Sequence, residues 1–162
     1  MVNSPTDSDS TFLREAIRLS REHMLEGHGG PFGAVIVRDG AILASGWNQV
    51  TTANDPTAHA EVVAIRLACQ ATGSPHLPGS VLYSSCEPCP MCLAAAYWSR
   101  VDRLVFAASR EDAASGGFDD LLLYEEIALP IMKRKLHTTQ QLRDEARPVF
   151  TEWLQKADRV NY

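Results

Sequence analysis

The chain has 162 residues, a length that suits one domain able to bury a sizeable hydrophobic core. Hydrophobic residues make up 45% of the chain and charged residues 22%, a balance that excludes a disordered or fibrous protein. Its 15 lysines and arginines against 20 aspartates and glutamates give a formal charge of −5, which disfavours a nucleic-acid partner because phosphate binding relies on basic surface.

The first ten residues are polar, and they lack the basic-then-apolar order of a secretory signal. We therefore predict a flexible leader over residues 1–10 and a single domain over 11–162. No apolar run in the sequence approaches the roughly eighteen residues of a membrane span, so no membrane partner is expected. We expect a cytoplasmic protein whose four cysteines are reduced or bound to metal.

Helical and strand patterns alternate along the predicted domain. Apolar residues at helical spacing predict a first helix over 11–26, which a run rich in glycine ends. Two apolar runs at 32–37 and 41–47, separated by a short turn, predict a β-hairpin. Further patterns predict helices at about 57–69, 88–98, 119–127 and 147–157, and strands at 80–85, 103–107 and 136–139. This alternation predicts an α/β domain of three layers, with helices on both faces of a sheet.

Two predicted helix starts carry residues that could hold a metal ion. His59 lies at the start of the helix predicted at 57–69, and Cys89 and Cys92 open the next helix. Because the two cysteines are three residues apart, one helical turn places both side chains on the same face. Two thiolates and an imidazole suit Zn²⁺ and fill three of its four tetrahedral positions, which leaves the fourth for water. The spacing therefore predicts one catalytic zinc ion per chain.

Glu61 is the candidate for proton transfer at this zinc. It lies two residues past His59, so the two side chains diverge by about half a turn and Glu61 can face the reacting atom. A site with two thiolates polarises water less than an all-histidine site, so a neighbouring base gains importance. The order H-x-E followed by P-C-x-x-C is the pattern of zinc nucleobase deaminases, and residues 59–61 and 88–92 match it.

The cysteine spacing leaves two other uses open. Cys86, Cys89 and Cys92 form a C-x-x-C-x-x-C run, so with His59 they could close a purely structural zinc site. A redox pair of Cys89 and Cys92 is the second alternative. Both leave Glu61 without a role. The remaining histidines have no spacing partner and are assigned to turns or to the surface; they are His23, His28, His76 and His137.

Four longer runs make the sequence resemble bacterial guanine deaminases of the cytidine deaminase-like fold. They are GGPFGAVIV at 29–37, NDPTAHAE at 54–61, SCEPCPMC at 85–92 and GFDD at 117–120. The similarity extends from about Phe12 to Tyr162. Many deaminases share the metal pattern, whereas the GFDD run and the terminal tyrosine distinguish the guanine deaminases from their relatives. The resemblance implies a mixed five-stranded sheet flanked by helices and the zinc-dependent hydrolysis of guanine to xanthine and ammonia.

The resemblance also implies roles for single residues around a purine substrate. Phe32 would stack on the purine, Asn48 would hydrogen-bond it, and Trp98 would line the pocket. Asp120 would contact the exocyclic amino group and assist proton transfer. Each residue has a structural alternative: core packing for Phe32 and Trp98, a turn closing the hairpin for Asn48, and a helix cap for Asp120.

A homodimer is the last feature that the resemblance implies. Its subunits would exchange C-terminal segments, about 147–162, so that Tyr162 closes the partner's site. Guanosine deaminase, which needs room for a ribose, is an alternative activity, as is deamination of other aminated heterocycles. A tRNA adenosine deaminase is a further alternative, which the acidic net charge disfavours.

Overall fold

The computed structural model describes residues 7–161, which fall into two compact units that divide between Asp120 and Leu121. In the first unit the elements are α1 (Asp7–Leu25), β1 (Gly33–Arg38), β2 (Ala41–Trp47), α2 (Val50–Ala53), α3 (Ala60–Thr72), β3 (Ser80–Cys86), α4 (Pro90–Trp98), β4 (Arg103–Ala108) and α5 (Arg110–Ser115). The second unit holds α6 (Leu121–Ala128), a 3₁₀ turn (Ile131–Lys133) and α7 (Arg143–Gln155). Within the described range, no helix is both long enough and apolar enough to cross a bilayer.

The sheet of the first unit is mixed, as expected. Its order over the described residues is β2-β1-β3-β4, with β1 antiparallel to β2 and β3, and β3 parallel to β4. Helix α4 is the crossover that a parallel pair requires. The predicted strand at 136–139 is wrong, because these exposed residues pair with no strand in the described chain. The sheet therefore has four described strands instead of the five expected.

Side chains of β1 alternate between two buried faces of the sheet. Ala34 and Ile36 belong to a core cluster that includes residues of α3 and α4. Val35 and Val37 point the other way and pack with Leu19 of α1. Because successive side chains of a strand face opposite sides, helices must cover both. This confirms the predicted three-layer α/β arrangement in the first unit.

Two glycines let the helices approach the sheet closely. A Cβ atom at Gly46 in β2 would lie 2.4 Å from the carbonyl oxygen of Ala60 at the start of α3. On the other side, a Cβ atom at Gly33 would lie 2.3 Å from the carbonyl oxygen of Ala16 in α1. No real Cβ tolerates such distances, so the first turn of α3 rests directly on the backbone of β2.

Helix α1 begins at Asp7, earlier than the predicted start after a leader of ten residues. The reason is Asp9, which is 1% exposed. Its carboxylate accepts a hydrogen bond from the Tyr83 hydroxyl at 2.6 Å and forms an ion pair with Arg103 at 2.6 Å. Residues 7–10 therefore belong to the domain, while residues 1–6 lie outside the described residues.

We expect Asp9→Ala to lower the free energy of unfolding by about 2 kcal/mol, because it leaves a buried hydroxyl and a guanidinium without their acceptor. The effect is limited because the Arg103 side chain is 42% exposed and regains water. Urea unfolding of the variant and the wild type measures the difference. Asp102→Ala, which alters an exposed carboxylate, serves as the control and should change stability by less than about 0.5 kcal/mol. Equal stabilities for both variants would contradict the structural role of Asp9.

The second unit is helical and carries apolar side chains on its surface. Helices α6 and α7 replace the predicted helices at 119–127 and 147–157, with shifted ends. Pro148 lies inside α7, where it removes one backbone donor. Along α7, Val149, Phe150 and Leu154 are 60%, 72% and 66% exposed.

Candidate metal centre and active site

The site is built where two helices begin. His59 is the N-cap of α3 and Cys89 is the N-cap of α4, and both have extended backbone conformations. Pro90 follows in the first turn of α4, where its missing N–H has no intrahelical role. Cys92 lies in the same turn. Because helix N-termini carry partial positive charge, both positions favour ionised ligands.

The three predicted ligand residues come together in the structure. Sγ of Cys89 lies 3.6 Å from Nδ1 of His59, Sγ of Cys92 lies 3.5 Å from the same nitrogen, and the two sulfur atoms are 3.7 Å apart. A tetrahedral zinc ion with ordinary bond lengths needs about 3.8 Å between two sulfurs and about 3.6 Å between sulfur and nitrogen. The donor atoms therefore fit a zinc ion. Within the described chain these three residues form the group without a fourth ligand.

The pKa values of the two cysteine thiols are shifted in opposite directions. The hydrogen bond between the two sulfur atoms, followed by the hydrogen bond with His59, lowers the pKa of Cys89 to about 4. The same bond, followed by burial, raises the pKa of Cys92, so Cys92 gives up its proton less readily than Cys89 does. The hydrogen bond with Cys89 also raises the pKa of His59. Metal binding requires deprotonated ligands, so it must release the remaining thiol proton.

Glu61 lies beside the ligand group without belonging to it. The residue is 6% exposed, and its Oε2 lies 3.4 Å from Sγ of Cys92. The Ser84 hydroxyl of β3 donates a hydrogen bond to Oε1 at 3.3 Å. Burial raises the pKa of the Glu61 carboxyl, so it takes up a proton more readily than an exposed carboxylate. A buried proton acceptor next to a metal group suits general acid–base chemistry.

The loop before β1 is fastened to the end of β2 by Asn48. The Asn48 side chain is buried, and its Oδ1 accepts hydrogen bonds from the backbone N–H groups of Gly30 and Val50, each at 3.2 Å. The backbone N–H of Asn48 donates to the carbonyl of Phe32 at 3.0 Å. Asn48 therefore has a structural role at the end of β2 opposite the hairpin turn, and its predicted contact with the purine stays a prediction. Since the chain occupies Oδ1, the Nδ2 group is the part of Asn48 left to meet a ligand.

The GFDD run brings an aromatic ring to Phe32. Helix α5 ends at a left-handed Gly117 (φ +91°), and the N–H of Phe118 donates back to the carbonyl of Ala113 at 3.0 Å. This helix ending turns the chain just before Phe118. The Phe32 and Phe118 rings meet edge-on, with centroids 4.9 Å apart. Phe32 is therefore held in one orientation by a residue that the sequence had not assigned a role.

The other three predicted site residues differ in placement. Asp120 is partly buried, and burial, followed by the negative charge of Cys89, raises the pKa of its carboxyl. Trp98 lies at the far end of α4 and is 68% exposed. Tyr162 lies outside the described residues. The roles of all three stay predictions.

Cys86, the fourth ligand of the structural alternative, is engaged elsewhere. Its thiol donates to the carbonyl of Ser109 at 3.5 Å, and burial raises the pKa of Cys86 to about 11. The neighbouring Glu87 accepts a hydrogen bond from the backbone N–H of Arg110 at 3.2 Å, so it fixes the loop and not a metal. Across the described chain, Cys86 does not join the ligand group.

We expect Cys86→Ser to retain the wild-type zinc content and activity, because a hydroxyl can also donate to the Ser109 carbonyl. Zinc is measured by atomic emission on the dialysed variant. If the variant loses its zinc, the closed structural site with four ligands is correct and the open site is not.

Comparison with known proteins supports this geometry. Residues 6–108 match the family described as the cytidine and deoxycytidylate deaminase zinc-binding region. Guanine deaminase of Bacillus subtilis (strain 168) is 51% identical over 94% of this chain and 97% of its own length. The X-ray structure of guanine deaminase from Bacillus subtilis aligns with a TM-score of 0.91 at 51% identity, over 94% of this chain and 98% of that chain.

Two further proteins are similar at lower identity. The structure of a guanine deaminase from Nitrosomonas europaea aligns with a TM-score of 0.66 at 31% identity, over 73% of this chain and 67% of that one. A tRNA-specific adenosine deaminase of Aquifex aeolicus (strain VF5) is 32% identical over 90% of this chain and 93% of its own length. Similarity to enzymes that act on different bases means that the metal group alone does not identify the substrate.

Proposed function

This chain belongs to the cytidine and deoxycytidylate deaminase zinc-binding family, and we propose that it is a guanine deaminase, which hydrolyses guanine to xanthine and ammonia. As a member of that family it is a zinc-dependent hydrolase of carbon–nitrogen bonds. The observation that carries the choice of guanine is the 51% identity with the Bacillus subtilis guanine deaminase over 94% of the chain. The tRNA-specific adenosine deaminase is 32% identical over a similar length, and the net charge of −5 does not favour an RNA substrate.

His59, Cys89 and Cys92 are the residues that would hold one zinc ion per chain. Their donor atoms have the separations of a tetrahedral zinc site, and the group leaves one position open. Zinc bound there supplies a Lewis acid that activates water. The two helix N-termini and the Ser84 hydroxyl are fixed by the sheet, so the protein does not have to reorganise around the reacting atoms.

Glu61 would move the protons of the reaction. Its buried carboxylate takes a proton from the attacking water, whose oxygen forms a bond to the ring carbon that carries the amino group. Glu61 then gives that proton to the ring nitrogen, and it carries the second proton, that of the added hydroxyl, to the amino group as this group leaves. The carbon–nitrogen bond breaks, and the products are xanthine and ammonia.

The remaining predicted residues would orient the purine. Phe32, held edge-on by Phe118, offers a flat face for stacking. Asn48 would donate from Nδ2 to an acceptor on the base, since its Oδ1 is bound by the chain. Asp120 would accept the exocyclic N–H, and Trp98 would line the pocket.

The direct test of this function is product analysis with guanine as the substrate. We expect xanthine and ammonia to form in equal amounts, measured by chromatography of the base and an enzymatic ammonia assay. Xanthine without ammonia, or no consumption of guanine by zinc-loaded protein, would refute the proposal.

We also propose a homodimer with exchanged C-terminal segments, about 147–162. Helix α7 supports it through exposed apolar side chains at Val149, Phe150 and Leu154, of the kind that a partner usually covers. In that dimer Tyr162 closes the partner's site. A closed pocket fits the free base better than guanosine, which adds a ribose.

Removing Tyr162 alone should lower kcat/KM for guanine by about tenfold or more, because an open pocket readmits water to the charged site. Zinc content and the elution volume of the dimer in size-exclusion chromatography should not change. Tyr97→Ala, which alters a tyrosine that is 78% exposed, is the matched control. Unchanged kcat/KM in the shortened protein means that Tyr162 is not part of the site.

A reducing compartment, the cytoplasm, is the location that we propose. All four cysteines are free thiols in the structure, and Cys69, Cys86, Cys89 and Cys92 form no disulfide. Proteins in oxidising compartments commonly pair such residues, whereas cytosolic proteins keep them reduced or bound to metal.

A further inference from the structure

A second group of metal-ligating side chains lies at the C-terminal end of α1. Nδ1 of His23 lies 3.2 Å from Nδ1 of His28. Oε2 of Glu26 lies 3.5 Å from the His23 nitrogen and 3.2 Å from the His28 nitrogen. The three donor atoms therefore converge on one point, as the His59 group does. None of these residues has a role in the proposed deaminase site.

The end of α1 explains how residues five apart in sequence meet. Gly27 has a left-handed conformation (φ +74°), its N–H donates to the carbonyl of Met24 at 3.1 Å, and the N–H of His28 donates to the carbonyl of His23 at 2.8 Å. This pair of bonds is the Schellman ending of a helix. It folds His28 back over the last turn of α1. His28 lies in a turn and is exposed, as predicted, and this helix ending brings it to His23 although the two residues have no spacing partner in the sequence.

Hydrogen bonds alone cannot satisfy all three contacts. A carboxylate oxygen brings no proton, and each Nδ1 brings one at most. If both nitrogens are protonated, both donate to Glu26 and the contact between His23 and His28 joins two donors. If one is protonated, its single proton serves one contact. A cation at the centre accepts a lone pair from each of the three atoms, and so satisfies them together.

The separations suit a tetrahedral transition-metal ion. Nitrogen and oxygen ligands at zinc bond lengths are about 3.3 Å apart in a tetrahedron, and the three observed separations lie between 3.2 and 3.5 Å. Octahedral magnesium would bring them to about 2.9 Å. Two imidazoles and one carboxylate are ligands that Zn²⁺, Co²⁺ and Ni²⁺ accept.

The surroundings hold the group in place. The Trp47 ring of β2 stacks on the His23 ring, with centroids 3.7 Å apart and an angle of 15° between the planes. The Thr52 hydroxyl of α2 donates to the carbonyl of His28 at 3.1 Å. Such contacts fix the orientation of ligand side chains before a metal arrives. They also connect the group to the loop that leads to Phe32.

We propose that His23, Glu26 and His28 form a second binding site for a divalent transition-metal ion of the zinc class. An ion there joins the end of α1 to the loop between α1 and β1. The site is independent of the proposed deaminase activity, because it uses none of the residues assigned to guanine or to the first zinc ion.

Cobalt titration of the metal-stripped full-length protein tests the proposal, with equilibrium dialysis and absorption spectra as readouts. We expect the wild type to bind two Co²⁺ per chain. The first gives the sulfur-to-cobalt charge-transfer band of a thiolate site, and the second gives tetrahedral ligand-field bands without that charge transfer, because its ligands are nitrogen and oxygen.

Two conservative variants separate the sites. Glu26 and His28 are 50% and 53% exposed, so Glu26→Gln and His28→Gln should fold, and the thiolate band reports that they do. Each should weaken the second Co²⁺ at least tenfold and leave the first unchanged. His137→Gln, which alters an exposed histidine outside the group, should bind two. A wild type that binds one Co²⁺, or variants that bind the second ion as the wild type does, overturns the proposal.

Discussion

Replacing Glu61 with glutamine lowers kcat for guanine by about 10²–10⁴-fold while zinc content stays at the wild-type level. Glutamine has the size of glutamate, and its amide oxygen can still accept the hydrogen bond that Ser84 donates. It cannot accept a proton from water. Because Glu61 is not part of the ligand group, the metal should remain. Steady-state kinetics of xanthine formation and atomic emission on the same sample measure both quantities.

Glu111→Gln is the matched control for this substitution. It makes the same chemical change at an exposed position on α5, and kcat should equal that of the wild type. Turnover near the wild-type rate in Glu61→Gln would rule out Glu61 as the proton carrier, whatever its zinc content. Loss of zinc in Glu61→Gln would instead mean that the carboxylate helps to hold the metal.

Cys89→Ser should abolish both tight zinc binding and deamination. Cys89 is the more acidic of the two cysteines, since its hydrogen bonds with Cys92 and His59 lower its pKa to about 4. A serine hydroxyl does not ionise in this range, and two ligands do not hold zinc firmly. Removing a residue that only hydrogen-bonds a zinc ligand typically lowers the zinc affinity about 10–100-fold, so removing a ligand itself should lower the affinity further. Metal competition with a chromogenic chelator measures the affinity.

Cys69→Ser is the control, because Cys69 lies on α3 in the same element as Glu61 but outside the ligand group. It should keep the wild-type zinc affinity and kcat. Wild-type affinity in Cys89→Ser would show that Cys89 is not a ligand of either an open or a closed zinc site, and would leave the redox alternative to explain the cysteine spacing.

The layers of the fold could be predicted because their signals are local. The buried strands β1 and β3 are apolar runs, and the helices on either side repeat apolar residues at helical spacing. The start of α1 could not be predicted, because Asp9 is buried through a bond to Arg103, 94 residues along the chain. The strand at 136–139 was predicted from its place between two helices, and it is wrong because a strand also needs a neighbour with which to pair.

In the candidate site, too, the residues with local sequence signals could be predicted and those that act through long-range packing could not. His59, Glu61, Cys89 and Cys92 are recognisable because each ligand type and its spacing within one helical turn are local. Ser84 and Phe118 could not be identified, because each acts on a residue distant in sequence through the packing of β3 or the turn after α5. The glycines were the signal available in the sequence. Gly27 and Gly117 each follow a helix in a left-handed conformation, and the chain turns there so that the next residue folds back toward the helix.

Initial rates of ammonia release from guanine, guanosine, adenine, cytosine and cytidine test the choice of substrate most directly. Measured on one zinc-loaded preparation at equal substrate concentrations, guanine should react at least about a hundredfold faster than the other four compounds. Adenine, cytosine and cytidine lack groups that a site for guanine hydrogen-bonds, and guanosine adds a ribose that a closed pocket does not accommodate. Faster release from guanosine, adenine, cytosine or cytidine than from guanine would contradict the account.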